Sequence, residues 1–207
     1  MKKTPEELGK IGCNNMLSSV VVPRPMAWVS TVNNEGIVNI SPFSFFAPIA
    51  KDPPRIMFII SKQRSKYGQE LKDTHRNIRE SGEFVVHIPS ADQAELVDQS
   101  ADFYEPHISE AEVLKLKTVP SDIVKVPRLV DVPAAMECVV DQIITLDEGW
   151  LWMIVGKVKM FHVKDEIFDA NTGIVDSYAL NPLMRIGNPY YATIGERIKV
   201  ADRPNSY

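Results

Sequence analysis

The chain has 207 residues, 44% of them hydrophobic and 24% charged, the balance of a globular protein with a real core and not of a disordered or fibrous one. Lys and Arg number 23 against 27 Asp and Glu, a net charge of -4 that carries no nucleic-acid footprint. Two cysteines are too few for a disulfide framework or a zinc site, Glu6 and Glu7 stand where a secretory signal would turn apolar, and no stretch approaches the roughly 18 apolar residues of a membrane span, so a cytoplasmic chain folded as one domain over residues 1–207 is expected.

In chain order, residues 26–32 are an apolar run, residues 33–36 (Asn-Asn-Glu-Gly) are turn formers, and residues 37–40 are apolar again, the pattern of a β-hairpin. Residues 39–46, Asn-Ile-Ser-Pro-Phe-Ser-Phe-Phe, follow as a loop that sets hydroxyls and an amide beside three phenylalanines. Residues 55–61 and 83–88 are two short strands. Between them, residues 64–81 are charged, place Tyr67, Leu71 and Ile78 at near-helical spacing and stop at Gly82, which predicts two short helical pieces. Residues 91–100 are a further helix with Ser90 as its N-cap. No proline occurs from 134 to 181, so that window can hold long strands without losing a hydrogen-bond donor. There, residues 136–146 are rich in Val, Ile and Thr, and residues 150–163 alternate with period two; the turn formers Asp147, Glu148 and Gly149 between them make a long antiparallel hairpin, with Gly156 as the place for a bend. Six strands in hairpins with inserted helices predict a mainly β protein, a closed or partly closed antiparallel barrel with peripheral helices.

Charge is segregated. Residues 91–112 carry seven acidic and no basic side chains, the composition of a solvated surface. Residues 64–80 carry five cations against three anions, and Lys72, Thr74, Arg76 and Asn77 fall within one or two helical turns, either a solvated helix face or a grip on phosphate. Residues 22–31 and 39–46 together offer ring area from Trp and Phe and polar edges from Ser, which suits either a planar aromatic ligand or a hydrophobic corner shaped by Pro42 and Pro48. Nucleotide-phosphate loops of the G-x-G-x-x-G and G-x-x-x-x-G-K-[ST] kinds are missing. The four histidines fall into no Ser/His/Asp or Cys/His arrangement, so no catalytic residue and no metal site is assigned.

The ordered set Pro23-Arg-Pro-Met-Ala-Trp-Val-Ser-Thr31, Asn39-Ile-Ser-Pro-Phe-Ser-Phe-Phe46, Asp52-Pro-Pro54, Lys72-Asp-Thr-x-x-Asn77, Gly82-Glu-Phe-Val-Val86 and Asn181-Pro-Leu-Met-Arg-Ile-Gly187 with Tyr190-Tyr191 resembles the flavin reductase-like, FMN-binding split-barrel family, which includes the flavoredoxins. The resemblance implies a homodimer of six-stranded antiparallel split β-barrels of Greek-key type, binding FMN non-covalently in a groove near the dimer interface. By matching positions, it implies that Trp28, Ser30, Asn39, Ser41, Ser44, Phe45 and Phe46 meet the flavin ring. It likewise implies that Lys72, Thr74 and Asn77 hold the phosphate, with Asp73 orienting them and Thr31 as a further candidate; Ser18 and Ser61 are extra candidates. The implied activity is an FMN-dependent oxidoreductase: NADH or NADPH reduces the flavin, and electrons pass to free flavin, a partner protein or a small acceptor. An electron carrier without a nicotinamide site is the alternative, and a haem store using His87, His107 or His162 is a third reading.

Overall fold

The computed structural model describes residues 1–65 and 68–200. Seven strands make one antiparallel sheet: β1 (Ala27–Val32), β2 (Val38–Phe43), β3 (Phe46–Lys51), β4 (Pro54–Ser61), β5 (Glu83–Ile88), β6 (Ala134–Leu146) and β7 (Leu151–Val163), in the order β2-β1-β5-β6-β7-β4-β3. The sheet is therefore mainly β as expected, but with seven strands where six were expected, and it does not close. The additional strand is β3, which contains Pro48. Proline has no N–H to give to a neighbour, so within a sheet it is confined to edge strands, bulges or the first residue of a strand, as Pro54 is in β4. The two edge strands, β2 and β3, each hold one, Pro42 and Pro48.

These two edges are consecutive in the chain. Only Ser44 and Phe45 lie between them, so Phe43 and Phe46 stand at most about 11 Å apart. The sheet is thus rolled until its edges meet at that end, and the amide of Ile59 in β4 ties the link down by donating to the Phe45 carbonyl at 3.0 Å. The result is a split barrel. Its interior is a cluster that includes Val29, Phe43, Phe58, Ile78, Phe84, Trp152 and Ile154. A second cluster, with Trp28, Ile40, Val85, Val97, Val126 and Leu183, lies on the outer face beneath the connecting segments.

The long hairpin forms as predicted, β6 and β7 turning through Asp147, Glu148 and Gly149, all at positive φ. Its pairing slips between Val140 and Gln142, leaving Asp141 as the bulged residue opposite Gly156, and Asp141 holds Arg55 and Lys157 at 2.7 and 2.6 Å. Gly156 is required by packing as well as by the bend, because a Cβ there would meet Phe84 Cζ at 2.3 Å.

Helix α1 (Pro5–Val20) was not foreseen. It has a capping box between Thr4 and Glu7, but it breaks at Gly9 (φ 64) and buries none of its side chains, so it carries no apolar stripe to betray it. The region predicted as two helical pieces is instead a small hairpin, Gln63–Ser65 with Gly68–Glu70, followed by helix α2 (Asp73–Ser81), which ends at Gly82 in the left-handed conformation. Lys66 and Tyr67 of that prediction lie outside the described residues. The predicted helix after Ser90 is a 3₁₀ turn, Ala91–Gln93, leading into α3 (Ala94–Gln99), with Ser90 and Gln93 forming a capping box. Helix α4 (Glu110–Val113) closes the acidic segment. Among the described residues, no helix is long and apolar enough to cross a membrane.

Candidate functional site

A groove of about 830 Å³ opens where the two sheet edges meet, walled by α1, by the Ser44–Phe45 link and by residues 185–191. That volume lies within the ~300–1,000 Å³ typical of small-molecule sites. Arg24, fixed between Pro23 and Pro25, is buried, and its guanidinium donates to the carbonyls of Ser18 and Val21 at 2.7 and 2.8 Å and to Ser44 Oγ at 3.5 Å. Arg185 lies across the groove, stacked 4.3 Å from the Tyr191 ring centroid and 3.7 Å from the Asp98 carboxylate. Tyr191 donates to the same carboxylate at 2.9 Å; burial first, and this bond next, push its hydroxyl up to about 12. Lys72, at the N-cap of α2, brings its ammonium 5.5 Å from the Phe43 ring centroid, inside the groove.

Three cations thus face one cavity whose lining, among the described residues, includes a single carboxylate, Asp98. Burial pulls the Lys72 ammonium below the ordinary lysine range. Burial, and then the neighbouring charge of Arg185, lower Arg24 as well. Among the described residues neither Lys72 nor Arg24 has a carboxylate partner. A cation taken out of water without a counter-ion is costly, and an anion in the groove would relieve that cost. Phe45, 44% exposed and 5.7 Å from the Arg24 guanidinium, supplies uncovered ring area beside these charges. Together the donor set and the aromatic surface fit a ligand with an anionic group and a flat ring system, as FMN has.

The predicted site residues divide into four groups. Ser44, Phe45 and Lys72 line the groove, as do the extra candidates Ser18 and Ser61. Trp28 and Ser30 do not: both are fully buried on the outer face of β1, where the Trp28 indole donates to Ser100 Oγ and the Ser30 hydroxyl to the Pro127 carbonyl, each at 2.8 Å. Phe46 packs into the barrel interior, and Ser41 lies opposite Val29 on that same inner face, buried.

The fourth group is a buried network. The Asn77 amide donates to Thr31 Oγ1 at 3.0 Å, and the Asn39 amide donates to Thr74 Oγ1 at 2.9 Å and to Thr31 Oγ1 at 3.3 Å. These bonds tie α2 to β1 and β2 and so fix the position of Lys72. Asp73 holds Arg76 of its own helix. Asn39, Asp73 and Asn77 also border a separate cavity of about 220 Å³.

Arg185 and Tyr191, which the family motif contains without assigning a role, and Arg24 between its two prolines, are the groove residues that sequence reasoning passed over. Their only sequence signal is an arginine between two prolines in one segment and an arginine and a tyrosine on either side of Gly187 and Pro189 in another, and nothing in spacing brings the two segments together.

The histidines are engaged elsewhere. His87 is fully buried; its Nδ1 donates to the Trp28 carbonyl at 2.8 Å and its Nε2 accepts from the Leu129 amide at 2.9 Å, and burial lowers it to about 4. With both nitrogens used, it has none for a haem iron. His162 Nε2 lies 2.6 Å from Glu137 Oε1. Burial works against the Glu137 charge, but amides of Asp122, Val124 and Ile123 with His162 overcome it and hold the carboxyl down to about 2. His75 stacks on Trp152 with ring centroids 4.1 Å apart. His107 is exposed in the acidic segment.

A profile of the flavin reductase like domain matches residues 17–189. The chain is 36% identical to an uncharacterised protein of Halalkalibacterium halodurans, over 99% of this chain and 97% of that one. Among solved structures it is similar to nitrilotriacetate monooxygenase component B from Bacillus cereus, with a TM-score of 0.90, 31% identity and coverage of 97% and 98% of the two chains. It is also similar to 2-nitrobenzoate 2-nitroreductase NbaA from Pseudomonas fluorescens, with a TM-score of 0.87, 28% identity and coverage of 100% and 98%. With its rolled, split sheet and the groove at the open seam, this chain belongs to the flavin reductase like family.

Proposed function

We propose that the protein is an FMN-binding oxidoreductase in which NADH or NADPH reduces flavin held in the groove and electrons pass to free flavin, a partner protein or a small acceptor. The observation that carries this reading is the pair of buried or partly buried cations, Lys72 and Arg24, that among the described residues have no carboxylate partner, beside the exposed ring of Phe45. Lys72 and Arg24, with Arg185 steadied by Asp98 and Tyr191, would balance the phosphate charge. Phe45 and Phe43 would cover ring area, and Ser44, Ser61 and the amides of Asn14 and Asn15 would meet the polar ring edge. Bound there, FMN would supply the two-electron chemistry of the reaction. The similarity to a monooxygenase component and a nitroreductase supports a redox role. The homodimer that the resemblance implies gains support from apolar side chains left exposed beside the groove, among them Val20 and Tyr190.

Anaerobic mixing of the FMN-loaded protein with NADH and with NADPH tests the reaction. Bleaching of the flavin absorbance by at least one nicotinamide is expected. A flavin that binds yet stays oxidised with both would leave an electron carrier, and a protein that takes up no FMN would refute the cofactor itself.

A further inference from the structure

Away from the groove, a cavity of about 310 Å³ lies where the end of β7 meets the segment that leads into β6. None of its lining residues lines the groove. Among the described residues, three nitrogen-bearing side chains border it, Arg128, His162 and Lys164, and no carboxylate does. Among the described residues, neither Arg128 nor Lys164 has a side-chain hydrogen bond or an ion pair, and Arg128 Nε is buried with no acceptor. Buried donors are almost always satisfied by protein, water or ligand, so a guanidinium that borders a cavity and makes no hydrogen bond within the protein is placed to take an acceptor.

The surrounding charges agree. Two carboxylates approach His162, Glu137 at 2.6 Å and Asp122 at 3.6 Å, and both act on Nε2. Glu137 also accepts from three backbone amides. It accepts a hydrogen bond from His162 Nε2 and so orients the ring, while neither Glu137 nor Asp122 is among the residues lining the cavity. The remaining walls are apolar, with Val132, Pro133 and Phe161, and Phe161 is 58% exposed.

We propose that this cavity is a second binding site, for a small organic acid: its carboxylate pairs with Arg128 and Lys164, and its apolar body rests against Phe161 and Pro133. The guanidinium offers paired donors that match a carboxylate, which a neutral amide cannot replace. The site is independent of the flavin groove, and its test does not depend on the cofactor.

Calorimetric titration with benzoate and with benzamide, its neutral counterpart, tests the proposal. Benzoate is expected to bind, with benzamide weaker by about tenfold or more. Arg128→Gln is expected to weaken benzoate by a similar factor while FMN uptake and the circular dichroism spectrum stay unchanged. Lys164→Gln, at an exposed position, is expected to weaken it as well and serves if the arginine variant does not fold. Absence of benzoate binding, equal affinity for benzamide, indifference to both substitutions, or displacement of benzoate by saturating FMN would each overturn the proposal.

Discussion

Burial lowers the Lys72 ammonium because the groove removes water from it while no carboxylate among the described residues takes its place. Lys72→Glu puts a negative charge where the proposed phosphate sits, and FMN affinity measured by flavin fluorescence should fall by well over about tenfold, more than the roughly 1 kcal/mol of an exposed pair. An unchanged dissociation constant would move the phosphate elsewhere. Glu110 is the opposite case. It is buried at the start of α4 with its carboxylate accepting from the Ile40 amide at 3.0 Å, and burial raises its pKa from 4.5 to about 7. The folded state therefore keeps a proton that the unfolded chain releases, so stability is full below pH 4.5 and declines as pH rises to about 7, by about 3 kcal/mol. Glu110→Gln keeps the acceptor and removes the titration. Denaturation at pH 5 and pH 8 should show the variant gaining on the native protein at the higher pH, and an equal difference at both would refute the assignment. At this scale the sequence also held a warning. Trp28 and Ser30 have opposite parity to Thr31 on one strand, and period two puts them on opposite faces; a motif that quotes the strand whole lists side chains that cannot share one ligand surface.

Among the elements, the edge strand β2 shows how this sheet protects an open rim. Its Val38 carbonyl accepts from the Ser109 hydroxyl at 2.7 Å and its Ile40 amide donates to Glu110, so α4 satisfies backbone groups that would otherwise recruit a foreign strand. Three features of the strands were readable beforehand. The absence of proline, the alternation and the Asp-Glu-Gly turn made the β6–β7 hairpin legible, and Gly82 marked the end of α2. Two were not: α1 buries nothing and so has no periodic apolar face, and β3 contains a proline whose tolerance depends on its being an edge, a property of the assembled sheet. Gly156 was legible as special but for an incomplete reason. Gly156→Ala drives a methyl into the Phe84 ring, and thermal unfolding should show a loss of about 1–3 kcal/mol; an unaltered melting temperature would mean that the ring moves aside without cost.

For the whole molecule, the net charge of -4 conceals the local field that matters. Arg24, Lys72 and Arg185 come from three separated segments and meet only because the sheet rolls until β2 and β3 adjoin. The basic character of the site is therefore a consequence of the fold, whereas the composition shows only an acidic protein. The barrel architecture and Lys72 were visible in the residues; the arginines and the wall that α1 contributes were not, since only tertiary packing carries them there. Titration of the flavin-free protein with FMN and with riboflavin, which lacks the phosphate, tests the cationic groove most directly. FMN should bind tighter than riboflavin by about tenfold to a hundredfold, with the difference shrinking as salt is raised. Equal affinities for the two flavins, or no binding of either, would contradict it.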